Sequence, residues 1–102
     1  MNLLQETIKS IREFGHFQDD IIFIGLEKSG SSCSWDEFAE LANEEYYNGS
    51  GAQEVVGDLI IVFSNGDRMY RCQYDGEEWW NISRPLVIPT VKKPINSLFN
   101  DG

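Results

Sequence analysis

The sequence is poor in basic residues. Eight lysines and arginines stand against 17 aspartates and glutamates in 102 residues, which gives a formal net charge of -9. Such a charge repels phosphate groups, so direct binding to nucleic acid or to an anionic membrane surface is disfavoured. A protein partner with a basic surface is the kind of ligand that this charge favours.

Histidine and cysteine are also scarce. His16 is the only histidine, and Cys33 and Cys72 lie far apart, so a structural zinc site lacks ligands and we expect no metal and no cofactor. The N-terminus does not resemble an export signal, so we expect a protein of the host-cell cytoplasm whose cysteines stay reduced.

Catalytic chemistry has few candidate groups in this sequence. His16 follows Gly15 at a predicted helix end, where a surface role is more common than catalysis. Cys33 precedes a predicted helix N-terminus, which can lower a thiol pKa, but an unreactive thiol is the better interpretation. We therefore predict that the protein is not an enzyme.

Long apolar runs are absent as well, and none approaches the roughly 18 residues that a membrane-spanning helix requires. The hydrophobic fraction of 41% is nevertheless enough for one core. We expect a single small domain over residues 1–84, without a membrane segment.

Periodicity predicts two helices and one early strand. Leu4, Ile8 and Ile11 mark one face of a helix over residues 2–14, and the apolar run 21–26 is typical of a buried strand. Ser34 and Glu37 form a capping box that opens a second helix, predicted to run through Tyr46 and to end at residues 48–51.

Turn chemistry predicts the second half of the chain. Asn65-Gly66 and Asp75-Gly76 separate strand-like runs at 58–63, 68–74 and 78–82, as in an antiparallel meander whose central turn residues adopt positive φ. Three prolines follow, so residues 85–102 are expected to form an extended C-terminal tail. The predicted fold class is α+β in the order α-β-α-β-β-β, with both helices on one face of a mainly antiparallel sheet of three or four strands.

The acidic residues are segregated. No basic residue occurs between Lys28 and Arg68, whereas that interval holds eight acidic residues. Asp36, Glu40 and Glu44 recur every fourth residue, about 6 Å apart along a helix, where like charges repel. This row is either a binding surface or a face that only confers solubility, and the sequence leaves both interpretations open.

Aromatic residues suggest a second surface feature. Trp79 and Trp80 are adjacent on a predicted strand and must point to opposite faces, so one of them lies outside the core. Tyr47 and that tryptophan could anchor a partner, since aromatic residues dominate binding hot spots. The alternative is that these rings cover the sheet beneath the helices or the tail.

Several sequence segments between residues 20 and 82 resemble those of a known protein family. The sequence SWDEF at residues 34–38, the Gln53-Glu54-Val55 segment and the sequence YDGEEWW at residues 74–80 are similar to a family of small, mostly uncharacterised phage and prophage proteins. The segment after Asn65-Gly66 departs from that pattern, because Arg68-Met69-Tyr70 stands where an aromatic residue is usual. The resemblance implies a mobile-element setting and, by analogy, an inhibitor of the anti-CRISPR or anti-restriction type.

These observations lead to one hypothesis about function. The protein would present its acidic helix face to the basic surface of a protein partner, such as a host nucleic-acid-binding defence complex, in a form of nucleic-acid mimicry. The alternative is a small structural or ligand-binding phage accessory protein without enzymatic activity. The candidate partner-binding residues are Asp36, Glu37, Glu40, Glu44, Glu45, Tyr47, Trp79 and Trp80.

Overall fold

The computed structural model describes residues 1–49 and 52–100 and contains two helices and four strands. Their order, α-β-α-β-β-β, and the α+β class confirm the prediction. Among the described residues, no helix is both long and apolar enough to cross a membrane. The elements are α1 Leu3–Glu13, β1 Ile21–Leu26, α2 Trp35–Ala42, β2 Leu59–Phe63, β3 Arg68–Tyr74 and β4 Glu77–Ser83, with a turn of 3₁₀ helix at Gln18–Asp20.

Helix α1 begins and ends where its local signals place it. The Asn2 side chain accepts a hydrogen bond from the backbone N–H of Gln5 at 3.0 Å, which satisfies one free donor of the first turn. Gly15 follows the helix with φ of 84°, a left-handed conformation that glycine adopts without a Cβ clash. The helix buries Thr7 and Ile11 on the side that faces the sheet.

The four strands form one antiparallel sheet in the order β1-β2-β3-β4. Ile61 and Phe63 of β2, Met69 of β3 and Trp80 of β4 point to the same face and are almost completely buried. Ile11 of α1 and Phe38 and Ala42 of α2 belong to the same apolar cluster, so both helices cover this face of the sheet. Burying each of the large side chains contributes about 1.5–3 kcal/mol to the stability of the domain.

The two predicted hairpin turns differ from each other in conformation. In the turn between β3 and β4, Asp75 and Gly76 have φ of 52° and 86°, so both central residues are left-handed, as predicted. Between β2 and β3 only Gly66 has positive φ, and the prediction of positive φ for Asn65 was wrong. There the Asn65 side chain accepts a hydrogen bond from the Asp67 N–H at 3.0 Å, which stabilises a longer loop in which Asn65 does not have positive φ.

Helix α2 is shorter than predicted, because it ends at Ala42 instead of continuing to Tyr46. The segment after it pairs with the N-terminus of the chain. The Leu3 N–H donates to the Glu44 carbonyl at 3.2 Å, and the Tyr46 N–H donates to the Met1 carbonyl at 2.8 Å. These tertiary hydrogen bonds replace the helical ones that the sequence periodicity suggested. The predicted stop at residues 48–51 falls partly on residues 50 and 51, which lie outside the described residues.

Candidate functional site

The exposed carboxylates of α2 are the first part of the predicted site. The helix begins at the predicted capping box, in which Ser34 accepts a hydrogen bond from the Glu37 N–H and the Glu37 carboxylate accepts one from the Ser34 N–H, each at 3.1 Å. These hydrogen bonds lower the pKa of Glu37 below its ordinary value. Glu37 therefore stabilises the helix start, while Asp36 and Glu40 project into solvent.

The predicted row of three helical acids is broken. Asp36 and Glu40 lie on α2, but Glu44 lies beyond the helix end, in the segment that pairs with the N-terminus. All three side chains are exposed, and none forms an ion pair with a described residue. Glu45 is exposed as well, but its carboxylate lies 3.1 Å from the N-terminal ammonium group. Asp36, Glu40 and Glu44 are thus exposed carboxylates without an ion pair among the described residues.

An apolar groove lies beside Glu44, the last of these carboxylates along the chain. Its volume is about 310 Å³, and Leu41 and Val56, exposed by 72% and 53%, form part of its lining. Glu44, Glu45 and Glu54 stand along the same groove. We call it the acid-rimmed groove; it is lined by Leu3, Leu41, Ala42, Glu44, Glu45, Tyr46, Glu54, Val55, Val56 and Leu59.

The predicted aromatic anchors have different environments. Tyr47 is 63% exposed, and its backbone N–H donates to the Glu54 carboxylate at 3.0 Å, which places it near the acid-rimmed groove. Trp80 is only 4% exposed and belongs to the core, so its inclusion among the partner-binding residues was wrong. Its indole N–H donates to the Thr7 hydroxyl at 2.9 Å.

Trp79 is the exposed tryptophan, with 39% of its surface accessible, but it lies away from α2. It pairs with Cys72 across β3 and β4, on the face of the sheet opposite the two helices. The structure therefore does not bring Trp79 together with the acidic residues of α2, and the predicted single surface separates into two.

A buried polar network, which the sequence did not suggest, lies beneath the segment after α2. Arg71 has a completely buried side chain, and its Nη1 donates to the Glu6 carboxylate at 2.9 Å. Its Nη2 donates to the Tyr46 hydroxyl at 3.2 Å, and the Tyr46 hydroxyl donates to Glu6. Burial and the bond to Glu6 raise the pKa of Tyr46 to about 12. The alternation of Met69 and Arg71 on β3 was the available signal, because it places Arg71 on the core face.

Glu78 attaches the segment before β2 to the sheet. Its carboxylate is 2% exposed and accepts hydrogen bonds from the N–H groups of Glu54 at 2.7 Å and Val55 at 3.1 Å. The guanidinium of Arg71 lies 3.6 Å away. The Glu78 backbone exchanges two hydrogen bonds with the Asn48 side chain. These contacts hold one wall of the acid-rimmed groove in place.

His16 is buried, and the expectation of a surface position was wrong. Its ring is stacked on Phe63 at 3.9 Å, and its Nε2 lies 2.7 Å from the Asp67 carboxylate. Asp67 also receives a hydrogen bond from Arg84 at 2.7 Å. The hydrogen bond to His16 is the main reason why the pKa of Asp67 is lowered. The cluster joins α1, the β2–β3 loop and the start of the tail.

The candidate nucleophile Cys33 is not activated. Burial and, to a smaller extent, the charge of Glu37 raise the pKa of its thiol, which is opposite to the shift that a reactive cysteine requires. Cys33 and Cys72 are both unpaired thiols. Within residues 1–49 and 52–100, no group of three His, Cys, Asp or Glu residues is placed to hold a metal ion.

Comparison with known proteins adds no relatives. The chain matches no protein-family model, and neither curated proteins nor solved structures give a significant match. The resemblance to small phage proteins therefore stays a prediction from the sequence.

Proposed function

We propose that the protein is a non-enzymatic binding protein whose exposed carboxylates on α2 and in the following segment bind a basic surface of a protein partner. The observation that carries the proposal is that Asp36, Glu40 and Glu44 are exposed and form no ion pair with any described residue. Acidic residues that only maintain solubility are usually interspersed with basic ones. Here no basic residue occurs between Lys28 and Arg68.

The unpaired charges would act mainly on the rate of association. A surface of one sign accelerates the encounter with an oppositely charged partner by tenfold to a thousandfold at low salt. Tyr47, exposed beside Glu54, supplies an aromatic side chain that can remain in contact after the encounter. Trp79 lies on the opposite face of the sheet and would not contribute to this contact.

The resemblance to phage proteins supports an inhibitor of a host defence complex as one form of this function, acting in the host cytoplasm. The exposed carboxylates of Asp36 and Glu40 on α2 are about 6 Å apart along the axis. Duplex DNA carries one charge per about 1.7 Å. The helix alone is therefore a poor imitation of a duplex, and we favour an acidic patch that binds a local basic site over an extended nucleic-acid mimic.

A second candidate function is that of a small structural or accessory protein. The observation that favours it is the tail, in which Leu86, Val87 and Phe99 are each more than 80% exposed. Exposed apolar side chains in such number are typical of interaction segments. This function depends on apolar contacts, so charge reversal on α2 would leave it intact.

Reversal of the α2 charges tests the proposed function. A tagged Asp36→Lys, Glu40→Lys chain should capture its partner from a bacterial lysate at least about tenfold less well than the unmodified chain. Capture by the unmodified chain should fall between about 0.1 M and 1 M salt, where the Debye length shrinks from about 10 Å to 3 Å.

The matched control is Glu13→Lys, Glu77→Lys, which changes the net charge equally but alters exposed residues of α1 and β4. This variant should retain capture. If both double variants capture the partner as well as the unmodified chain, the acidic surface of α2 is not the binding site and the proposal is wrong.

A further inference from the structure

The tail of the protein leaves an unusual number of apolar side chains in water. Seven large apolar residues are between 68% and 86% exposed, and burying such a side chain is worth about 1.5–3 kcal/mol. No helix or strand follows Ser83 in the described part of the chain. The seven residues are Leu86, Val87, Ile88, Val91, Ile95, Leu98 and Phe99.

The start of the tail is fixed and leads away from the domain. Arg84 donates to the Asp67 carboxylate at 2.7 Å and to the Phe14 carbonyl at 3.0 Å, which anchors it beside the β2–β3 loop. Pro85 packs over Gly66 in that loop, where a Cβ would approach the Pro85 ring to 2.9 Å. Pro85 and Pro89 favour extended backbone after this point. The radius of gyration of 17.2 Å, against about 13 Å for a compact chain of this length, reflects the projecting tail.

The charges of the tail and the domain are complementary. Residues 85–102 carry two of the eight basic residues and one of the 17 acidic residues, so the tail has a net charge of +1 and residues 1–84 one of -10. Lys92 and Lys93 stand between Val91 and Ile95, which combines positive charge with apolar side chains. The acid-rimmed groove combines apolar side chains such as Leu41 with negative charge, because carboxylates lie along it.

We propose that the acid-rimmed groove binds the C-terminal tail of a second copy of this chain, with Val91 and Ile95 against the apolar lining and Lys92 and Lys93 near Glu44 and Glu54. The inference deepens the proposed function, because it assigns an occupant to part of the same acidic surface. Asp36 and Glu40 stay free for another partner, since neither lines the groove.

A second copy fits the geometry better than the chain's own tail. The tail leaves the domain beside the β2–β3 loop, whereas the groove includes Leu59, at the opposite end of β2. To reach its own groove, the tail would have to turn back after the anchored Arg84 and run toward the start of β2, whereas the prolines at positions 85 and 89 favour extended backbone. Reciprocal exchange of tails between two copies instead forms a closed, two-fold symmetric dimer.

Two full-length variants test the exchange. The tail variant carries Lys92→Glu and Lys93→Glu. The groove variant carries Glu44→Lys and Val56→Lys, both at exposed positions whose side chains form no hydrogen bond with a described residue. Sedimentation equilibrium of the unmodified chain should give the mass of two chains, with dissociation favoured by salt. Each variant alone should dissociate at least about tenfold more readily.

The mixture of the two variants is the decisive sample. In a mixed dimer, the unmodified groove of the tail variant binds the unmodified tail of the groove variant. The lysines in the groove of the groove variant in turn face the glutamates introduced into the tail of the tail variant. Mixing should therefore restore the dimer. A monomeric unmodified chain, a dimer that both variants keep, or a mixture that remains monomeric would each overturn the inference.

A further variant separates this inference from the proposed function. Asp36→Lys, Glu40→Lys should remain dimeric while losing capture of the external partner. If the unmodified chain is monomeric but this variant still loses capture, the inference fails and the proposed function stands. If the chain is dimeric and capture is unaffected, the proposed function fails and the dimer stands.

Discussion

His16 and Asp67 form a buried contact, 2.7 Å long, between residues 51 positions apart. The contact ties the end of α1 to the β2–β3 loop, and Arg84 joins the same carboxylate at the start of the tail. Since Asp67 is only 1% exposed, its charge is balanced by these partners and not by water.

The Asp67 cluster should make stability depend on acid pH. The pKa of Asp67 lies below its ordinary value of 3.8, mainly because of the hydrogen bond to His16. A carboxyl group whose pKa is lower in the folded state than in the unfolded state stabilises the protein at pH values above its unfolded-state pKa. This stabilisation is lost as the pH falls through the folded-state pKa. Urea unfolding measured from about pH 5 downward should therefore show a steeper loss of stability in the unmodified protein than in Asp67→Asn.

Asp19→Asn is the control for this experiment, because Asp19 is exposed and forms no ion pair with a described residue. It should retain the steep pH dependence. Equal slopes for Asp67→Asn and the unmodified protein would show that the cluster does not govern acid unfolding.

Removal of the Glu78 carboxylate should strongly destabilise the domain. Glu78→Ala leaves the N–H groups of Glu54 and Val55 without their acceptor and Arg71 without one of its two carboxylates. Breaking a buried pair by removing one partner costs about 3–5 kcal/mol. Urea denaturation should show this loss, whereas Glu77→Ala, at the exposed neighbouring position, should change stability by less than about 0.5 kcal/mol. Similar losses for the two variants would contradict the role of the carboxylate.

One isosteric substitution should measure how much the hydrogen bond between Trp80 and Thr7 contributes to the stability of the domain. Thr7→Val keeps the side-chain volume but removes the acceptor of the buried Trp80 N–H. An unsatisfied buried donor costs about 1–3 kcal/mol, which thermal or urea unfolding will detect. Thr90→Val, in the exposed tail, makes the same chemical change and should be nearly neutral. An equally neutral Thr7→Val would mean that the Trp80 N–H finds another acceptor.

Gly25 should not tolerate a methyl group. A Cβ at this position would lie 2.1 Å from the Ser31 carbonyl oxygen, which accepts a hydrogen bond from the Leu26 N–H at 2.8 Å. Gly25→Ala should displace this segment from the edge of β1, destabilise the protein by about 1–3 kcal/mol and speed amide exchange at Leu26 and Cys33.

The control for Gly25→Ala is Gly57→Ala, whose nearest neighbour would be the movable side chain of Gln53 at 3.3 Å. It should leave exchange at Leu26 unchanged. Unaltered exchange in Gly25→Ala would show that the Ser31 segment adapts to the methyl group.

The sequence alone determined the helices, strands and turns whose signals are local. Helix α1, strands β1 and β3 and the Asp75-Gly76 turn were predictable, because periodicity, capping and left-handed turn residues act within a few positions. The excess of acidic residues between Lys28 and Arg68 was likewise a property of the sequence.

Tertiary structure decided the rest, because it depended on contacts between distant segments. The end of α2 at Ala42 follows from hydrogen bonds to the N-terminus, which removed Glu44 from the helix. Which of Trp79 and Trp80 is buried depended on the face of the sheet that the helices cover. Alternation on β3 places Arg71 on the core face, but its ion-pair partner Glu6 lies 65 positions away in the sequence. No local pattern encodes these outcomes, because each depends on the relative free energies of contacts with alternative partners. Only the folded chain brings those partners together.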